Sequence, residues 1–230
     1  MTPPSHERQG YHHGQLRDAL IEAADEIIRE GGIESFSLRE AARRAQVSPG
    51  APAHHFGNTR GLLTEVALRA YADLGRALAA GDGEAEESPA AALQRIGVAY
   101  VRFALSNPGH FRLMFRSDLV DRSDERYQAM SAAALTGMGA AARAFSQARA
   151  GRSHSSAEGP NASGESAPDD LSVRGQVFSI WSTLHGMAHL VLENKAGYLF
   201  EGSDPAGFVD NHLPALLGQL WPASGSVSGA

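Results

Sequence analysis

Apolar residues recur every three to four positions along nearly the whole chain, and alternation of period two is almost absent, which predicts an all-α protein. The first stripe, Leu16, Ala19, Leu20, Ala23, Ala24, Ile27 and Ile28, predicts a helix over about His12 to Arg29, ended by Gly31-Gly32. A second long stripe, Leu62, Leu63, Val66, Ala70, Leu74 and Leu78, predicts a helix from near Thr59 to about Ala80. Ser88-Pro89 opens another that runs to about Ser106, and Asn107-Pro108 starts a short one carrying Phe111, Met114 and Phe115. Further helices are expected over roughly Asp121 to Arg149, Leu171 to Ala196, and Asp204-Pro205 to Trp221, the last kinked at Pro214. Residues 1–10 read as a flexible arm, 147–170 as a flexible insertion of small polar residues, and 223–230 as a disordered tail.

The pattern is tightest from Ser37 to Phe56, where two short helices are predicted on either side of a turn. Ser37 and Glu40 have capping-box spacing, in which the hydroxyl takes one orphan amide and the carboxylate another. Leu38, Ala41, Ala42 and Ala45 form a narrow buried stripe. Ser48 is placed to cap the second helix, with Pro49 at its first position and Gly50 and Ala51 keeping its first turn small. A helix-turn-helix sets such a second helix into the DNA major groove.

Charge qualifies that reading. The chain carries a formal net charge of −6, the wrong sign for a general nucleic-acid binder. Within residues 37–60, however, Arg39, Arg43, Arg44 and Arg60 face only Glu40, so the basic footprint is local.

The series Phe36-Ser37-Leu38-Arg39, Val47-Ser48-Pro49-Gly50-Ala51, His55-Phe56 and Leu62-Leu63 resembles the DNA-binding domain of TetR-type transcriptional regulators, over roughly Tyr11 to Val66. Trp181-x-x-x-His185-Gly186 resembles the tryptophan–histidine–glycine signature of one C-terminal subfamily. The resemblance implies a DNA-binding domain over 11–58 and a helical regulatory and dimerisation domain over 59–222. It further implies a homodimer joined through the last two helices, a palindromic double-stranded DNA operator and a small-molecule effector. Pro49, Ala51, Ala53, His54 and His55 are then expected to read bases. Ser37, Arg39, Arg44, Ser48, Gly50, Thr59 and Arg60 are expected at the DNA surface. The chain departs from the family at Ala53, where Tyr is frequent, and at Thr59, where Lys is usual. Gln46 stands where Gly is often found, and Pro52 lies inside the second short helix, which is therefore expected to be short and tight.

The chain has no cysteine, which excludes disulfides and thiolate metal sites. The amino-terminal residues are polar and no apolar run approaches a membrane span, so a cytoplasmic protein is expected. His185, His189 and Glu193 at i, i+4 and i+8 form a weak metal candidate, and Gly186 is expected at a close helix approach. Gly137-x-Gly139-x-x-Ala142 follows no strand, so it is not read as a dinucleotide site. No cofactor or catalytic site is implied. An effector pocket is expected among Phe103, Phe111, Met114, Phe115, Met130, Met138, Trp181 and His185. The alternatives carried with the regulator reading are an interaction protein that has lost DNA binding, and a metal-dependent sensor or hydrolase.

Overall fold

Ten α-helices and no strand are found in the computed structural model among the described residues, which are 6–80, 87–155, 170–200 and 204–222. In chain order the helices are α1 (His6–Gly31), α2 (Leu38–Arg44), α3 (Ala51–Phe56), α4 (Thr59–Ala79), α5 (Pro89–Ser106), α6 (Pro108–Met114), α7 (Glu125–Ser155), α8 (Asp170–Leu192), α9 (Pro205–Asn211) and α10 (Leu213–Leu220). A 3-10 turn at Ile33–Ser35 joins α1 to α2, and another at Ala196–Tyr198 follows α8. The all-α expectation holds.

Local signals account for most of the helix starts. Ser37 Oγ accepts the Glu40 amide at 3.2 Å, Ser88 Oγ the Ala91 amide at 3.2 Å, and Asp204 Oδ1 the Gly207 amide at 2.7 Å. Helix α1 nevertheless begins at His6, inside the segment expected to be an arm, and only 1–5 lie outside the described residues. Helix α7 begins at Glu125 rather than Asp121 and continues to Ser155, so the expected insertion at 147–170 is helical up to Ser155 and again from Asp170. Its remainder, and the expected tail at 223–230, fall outside the described residues. At Pro214 the expected kink is a full break: α9 ends at Asn211, and Pro214 takes the second position of α10, where no amide donor is needed.

The chain forms two compact units, one of residues 1–73 with 107–131 and one of 74–106 with 132–230. The first part of α4 and all of α6 fall in the same unit as the amino-terminal helices. In the first unit α1 is the centre, packed against α2, α3 and α6. Leu20, Ala24 and Ile28 of α1, Ala41 of α2, Leu62 and Val66 of α4, and Phe111, Leu113 and Met114 of α6 are fully excluded from solvent. Gly109 of α6 sits so close to α1 that a Cβ there would overlap the carbonyl oxygen of Ile28. Two tyrosines close the unit: Tyr71 and Tyr127 stack edge-to-face at 5.5 Å, and both donate to the carbonyl of Met114, at 3.2 and 2.5 Å.

A polar pair lies inside that apolar unit. His110 Nε2 is 2.9 Å from Asp25 Oδ1, and the same carboxylate pairs with Arg29. Burial alone would raise the Asp25 pKa. The hydrogen bond and charge of His110, with the charges of Arg29 and Arg69, outweigh burial and hold the group below its ordinary value. The carboxylate partner fixes the hydrogen on Nε2, while His110 Nδ1 is buried with no hydrogen-bond partner.

The second unit is built on α5, which packs against α8, α9 and α10. A Cβ added to Gly97 would lie 2.8 Å from Leu217 Cδ1 and 3.0 Å from Leu184 Cδ2, so this is where α5 needs a small residue. Val101, Ala104, Met138, Ala142, Leu184, Ala188, Leu213 and Leu217 are buried within this unit. Gly186, expected at a close approach, is exposed, and a Cβ added there would meet no atom within 4 Å.

Candidate nucleic-acid interface

Helices α2 and α3 flank a turn whose geometry depends on one strained residue. Gln46 has φ 55°, a left-handed backbone that costs a non-glycine residue about 1–2 kcal/mol. Its amide donates to the carbonyl of Arg43, and that of Val47 to Ala42, so the turn is closed by backbone bonds. The departure noted at Gln46 is therefore a true left-handed position.

The start of α3 differs from expectation. Gly50, not Ser48, is the residue before the first helical one, and no side chain caps the helix. Ser48 and Pro49 belong to the turn, with the Ser48 carbonyl accepting from Ala51. Pro52 then occupies the second helical position, where an amide would have had no intrahelical partner, and its ring is buried. Pro52 rather than Pro49 is thus the proline that seats the helix. Both residues fit the local rule, and burial decides between them. Gly57, with φ 73°, ends α3, and Phe56 is held under the Arg17 guanidinium at 5.3 Å. A Cβ on Gly61 would overlap the Phe56 carbonyl oxygen, so Gly61 sets the spacing of α3 from α4.

The expected DNA-facing residues divide by exposure. Ser37, Arg39, Ser48, Pro49, Gly50, Ala53, His54, Thr59 and Arg60 are exposed, whereas Arg44, Ala51 and His55 are half-buried. A groove of about 520 Å³ lies along this surface, lined by Ser37, Arg39, Glu40, Ala42, Arg43, Val47 and Pro49.

Electrostatics alter the sequence reading most. Glu40 does not reach back to the helix start as the capping box implied. Its carboxylate accepts from Arg43 at 2.8 and 2.6 Å and from Arg44 at 3.0 Å. Those bonds pull its pKa down to about 2. Arg44 also pairs with Glu30 at 2.8 Å, and Arg60 donates to the Asp118 carbonyl at 3.2 Å. The local positive charge counted along the sequence is largely engaged within the protein, and Arg39 presents an exposed guanidinium on the groove. At the start of α4, Asn58 Oδ1 accepts the Gly61 amide at 3.1 Å, taking one of the orphan amides available to a phosphate.

The other nominated residues lie elsewhere. Phe111, Met114, Phe115 and Met130 belong to the first unit, while Phe103, Met138, Trp181 and His185 belong to the second. Phe111 and Met114 are fully buried core. In the second unit Tyr100 Oη and His185 Nδ1 are 2.9 Å apart, and Trp181 also hydrogen-bonds to Tyr100. Burial pushes the Tyr100 phenol up, and burial with the nearby His189 pulls His185 down to about 4. His185 and His189 stack at 4.6 Å, but among the described residues no group of three His, Asp or Glu could hold a metal ion, so Glu193 does not complete a site. The Asp25–His110 pair was not anticipated: its members are 85 positions apart and no local spacing signals it.

Residues 20–66 match the family model described as bacterial regulatory proteins, tetR family, and residues 93–216 match that of the tetracyclin repressor-like C-terminal domain. The chain is 28% identical over 98 residues to an uncharacterized HTH-type transcriptional regulator, YobS, of Bacillus subtilis, covering 43% of this chain and 50% of that one. It is 34% identical over 83 residues to the HTH-type transcriptional regulator BetI of Burkholderia thailandensis, covering 36% and 43%. The chain thus spans half or less of the length of these curated relatives. Among solved structures, a Rhodococcus sp. RHA1 protein of unknown function is 28% identical with a TM-score of 0.65, covering 93% of this chain and 97% of that one. The fold also matches the TetR family regulator PfmR of Thermus thermophilus, at 20% identity and a TM-score of 0.54, covering 90% and 96%.

Proposed function

Because the chain belongs to the TetR family of bacterial regulatory proteins, we propose that it is a sequence-specific DNA-binding transcriptional regulator. In this reading it is a ligand-responsive repressor that holds a palindromic operator as a homodimer. The observation that carries it is the α2–turn–α3 unit. Pro52 seats α3 on the body, Gly61 fixes its distance from α4, and the opposite face of α3 is left exposed. A dimer would set two such faces into successive major grooves about 34–36 Å apart.

The dimer is supported by apolar side chains left exposed in the second unit: Phe178 and Leu190 on α8, Tyr198 and Leu199 after it, and Leu220 on α10. The effector is a small molecule bound among helices of the carboxy-terminal unit. It acts by binding one conformation more tightly than the other. No helix among the described residues is long and apolar enough to cross a membrane.

Selection of bound duplexes from a random DNA pool tests the reading. An enriched palindrome, with a salt-sensitive and competable gel shift, supports it. A specific observation keeps the second reading alive: Ala53 and Thr59 lack the family's usual contacts, and Glu40 engages two arginines beside the groove. A well-folded dimer that enriches no sequence would favour an interaction protein that has lost DNA binding.

A further inference from the structure

Successive residues of α3 are turned by about 100°, which places Gly50, Ala53 and His54 on one side and Pro52 and Phe56 on the other. Burial follows that division: Pro52 is buried and Phe56 half-buried, while Gly50, Ala53 and His54 are exposed. Gly50 has nothing within 4 Å of its missing side chain, so the helix start can approach a groove floor closely. This face consists of the bare backbone of Gly50, with the Ala53 methyl on one side of it and the His54 imidazole on the other. It carries neither a guanidinium nor a carboxamide, the groups that read guanine and adenine through paired hydrogen bonds. The feature of the major groove that complements a methyl group is the 5-methyl of thymine.

We infer that each half-site of the operator is read chiefly through a thymine 5-methyl packed against Ala53, with His54 supplying the accompanying hydrogen bond. This deepens the regulator reading and rests on it. It also gives the loss of the larger residue at position 53 a consequence: a contact to the backbone is exchanged for access to a base edge.

The test uses the full-length protein and the palindrome it selects. Each thymine of one half-site is replaced in turn by deoxyuridine, which removes the methyl and keeps every hydrogen-bonding group, and affinity is measured by fluorescence anisotropy. Removing a packed methyl should weaken binding about three- to tenfold at one or more positions in the half-site. The same penalty should shrink to less than about twofold in Ala53→Gly, since the cycle isolates the pairwise contact. An operator bound equally well with deoxyuridine at every thymine overturns methyl readout while leaving the regulator reading intact. A penalty that persists undiminished in Ala53→Gly overturns the assignment to Ala53. Selection that enriches no duplex overturns both readings together. If Ala53→Gly does not fold, Ala53→Ser carries the same comparison: a hydroxyl on the contacting carbon should likewise shrink the deoxyuridine penalty, and an undiminished penalty overturns the assignment.

Discussion

The buried Asp25–His110 pair offers the sharpest check on how α6 is tied to α1. Asp25 is 9% exposed and His110 5%, and Nε2 and Oδ1 are 2.9 Å apart. Removing either partner strands the other away from water. Asp25→Ala leaves Nε2–H without an acceptor on a ring whose Nδ1 already lacks a partner, and His110→Ala leaves the carboxylate paired with Arg29 and with the charge of Arg69 nearby. Each should cost about 3 kcal/mol, the lower end for breaking a buried pair, because Arg29 lies at the surface. Asp25→Asn keeps the volume and offers an amide oxygen, so it should lose only about 1–2 kcal/mol. The double alanine variant should cost about 2 kcal/mol less than the sum of the singles, since the second removal strands nothing further. Urea unfolding followed by circular dichroism at fixed protein concentration and neutral pH measures all four. Single costs that add to within about 0.5 kcal/mol would refute the coupling. The acid limb gives an independent reading. A carboxyl whose folded pKa lies below its unfolded value adds stability above the unfolded pKa, and loses it as pH falls through the folded one. Wild type should lose stability there, and Asp25→Asn should lose less.

Three further outcomes follow from the same geometry. Glu40→Gln removes the carboxylate that engages Arg43 and Arg44, so operator affinity should rise and its salt dependence steepen by about one phosphate contact or more per protomer; an unchanged salt slope in a titration series would sink this reading. Gly61→Ala forces a Cβ onto the Phe56 carbonyl and should cost about 1–3 kcal/mol in overpacking, with DNA binding in a gel shift lost before helicity; retention of full affinity would show that α3 is not positioned by this contact. His185 has a folded pKa of about 4 against an ordinary 6.5, so the unfolded state binds more protons between those values. Stability should therefore be complete above about pH 6.5 and decline as pH falls toward 4, and His185→Gln should flatten that part of a thermal-melt series.

Elements with local signals were legible in the sequence. The α4 stripe from Leu62 to Leu78 is buried throughout, and Ser88, Asn107 and Asp204 mark helix starts as expected. What escaped depended on distant partners or on burial. Ser48-Pro49 and Pro52 satisfy the same positional rule, and only the buried Pro52 ring shows where the helix begins. The small polar residues after Gln147 read as flexible, yet the described part continues as helix, because small residues such as Ala do not oppose one. The arginines near the recognition helix could be counted but not assigned. Glu30, which pairs with Arg44, lies in the preceding helix, and Asp118, whose carbonyl accepts from Arg60, lies 58 positions away. For the interface, the sequence indicated which residues face outward better than which of them carry usable charge.

Under the regulator reading proposed above, Glu40 has a kinetic consequence. A protein whose recognition surface carries its own counter-anion exchanges that carboxylate for a phosphate when it lands on DNA, and so releases fewer ions from the duplex. A shorter dwell time on random sequence is the expected result, to be read from dissociation rates on non-operator DNA. In a genome where about 10⁶–10⁹ competing sites surround each operator, less of the protein is then sequestered on the wrong DNA. On the proposed reading, occupancy would be set by the match at the base edges rather than by the pull of the backbone.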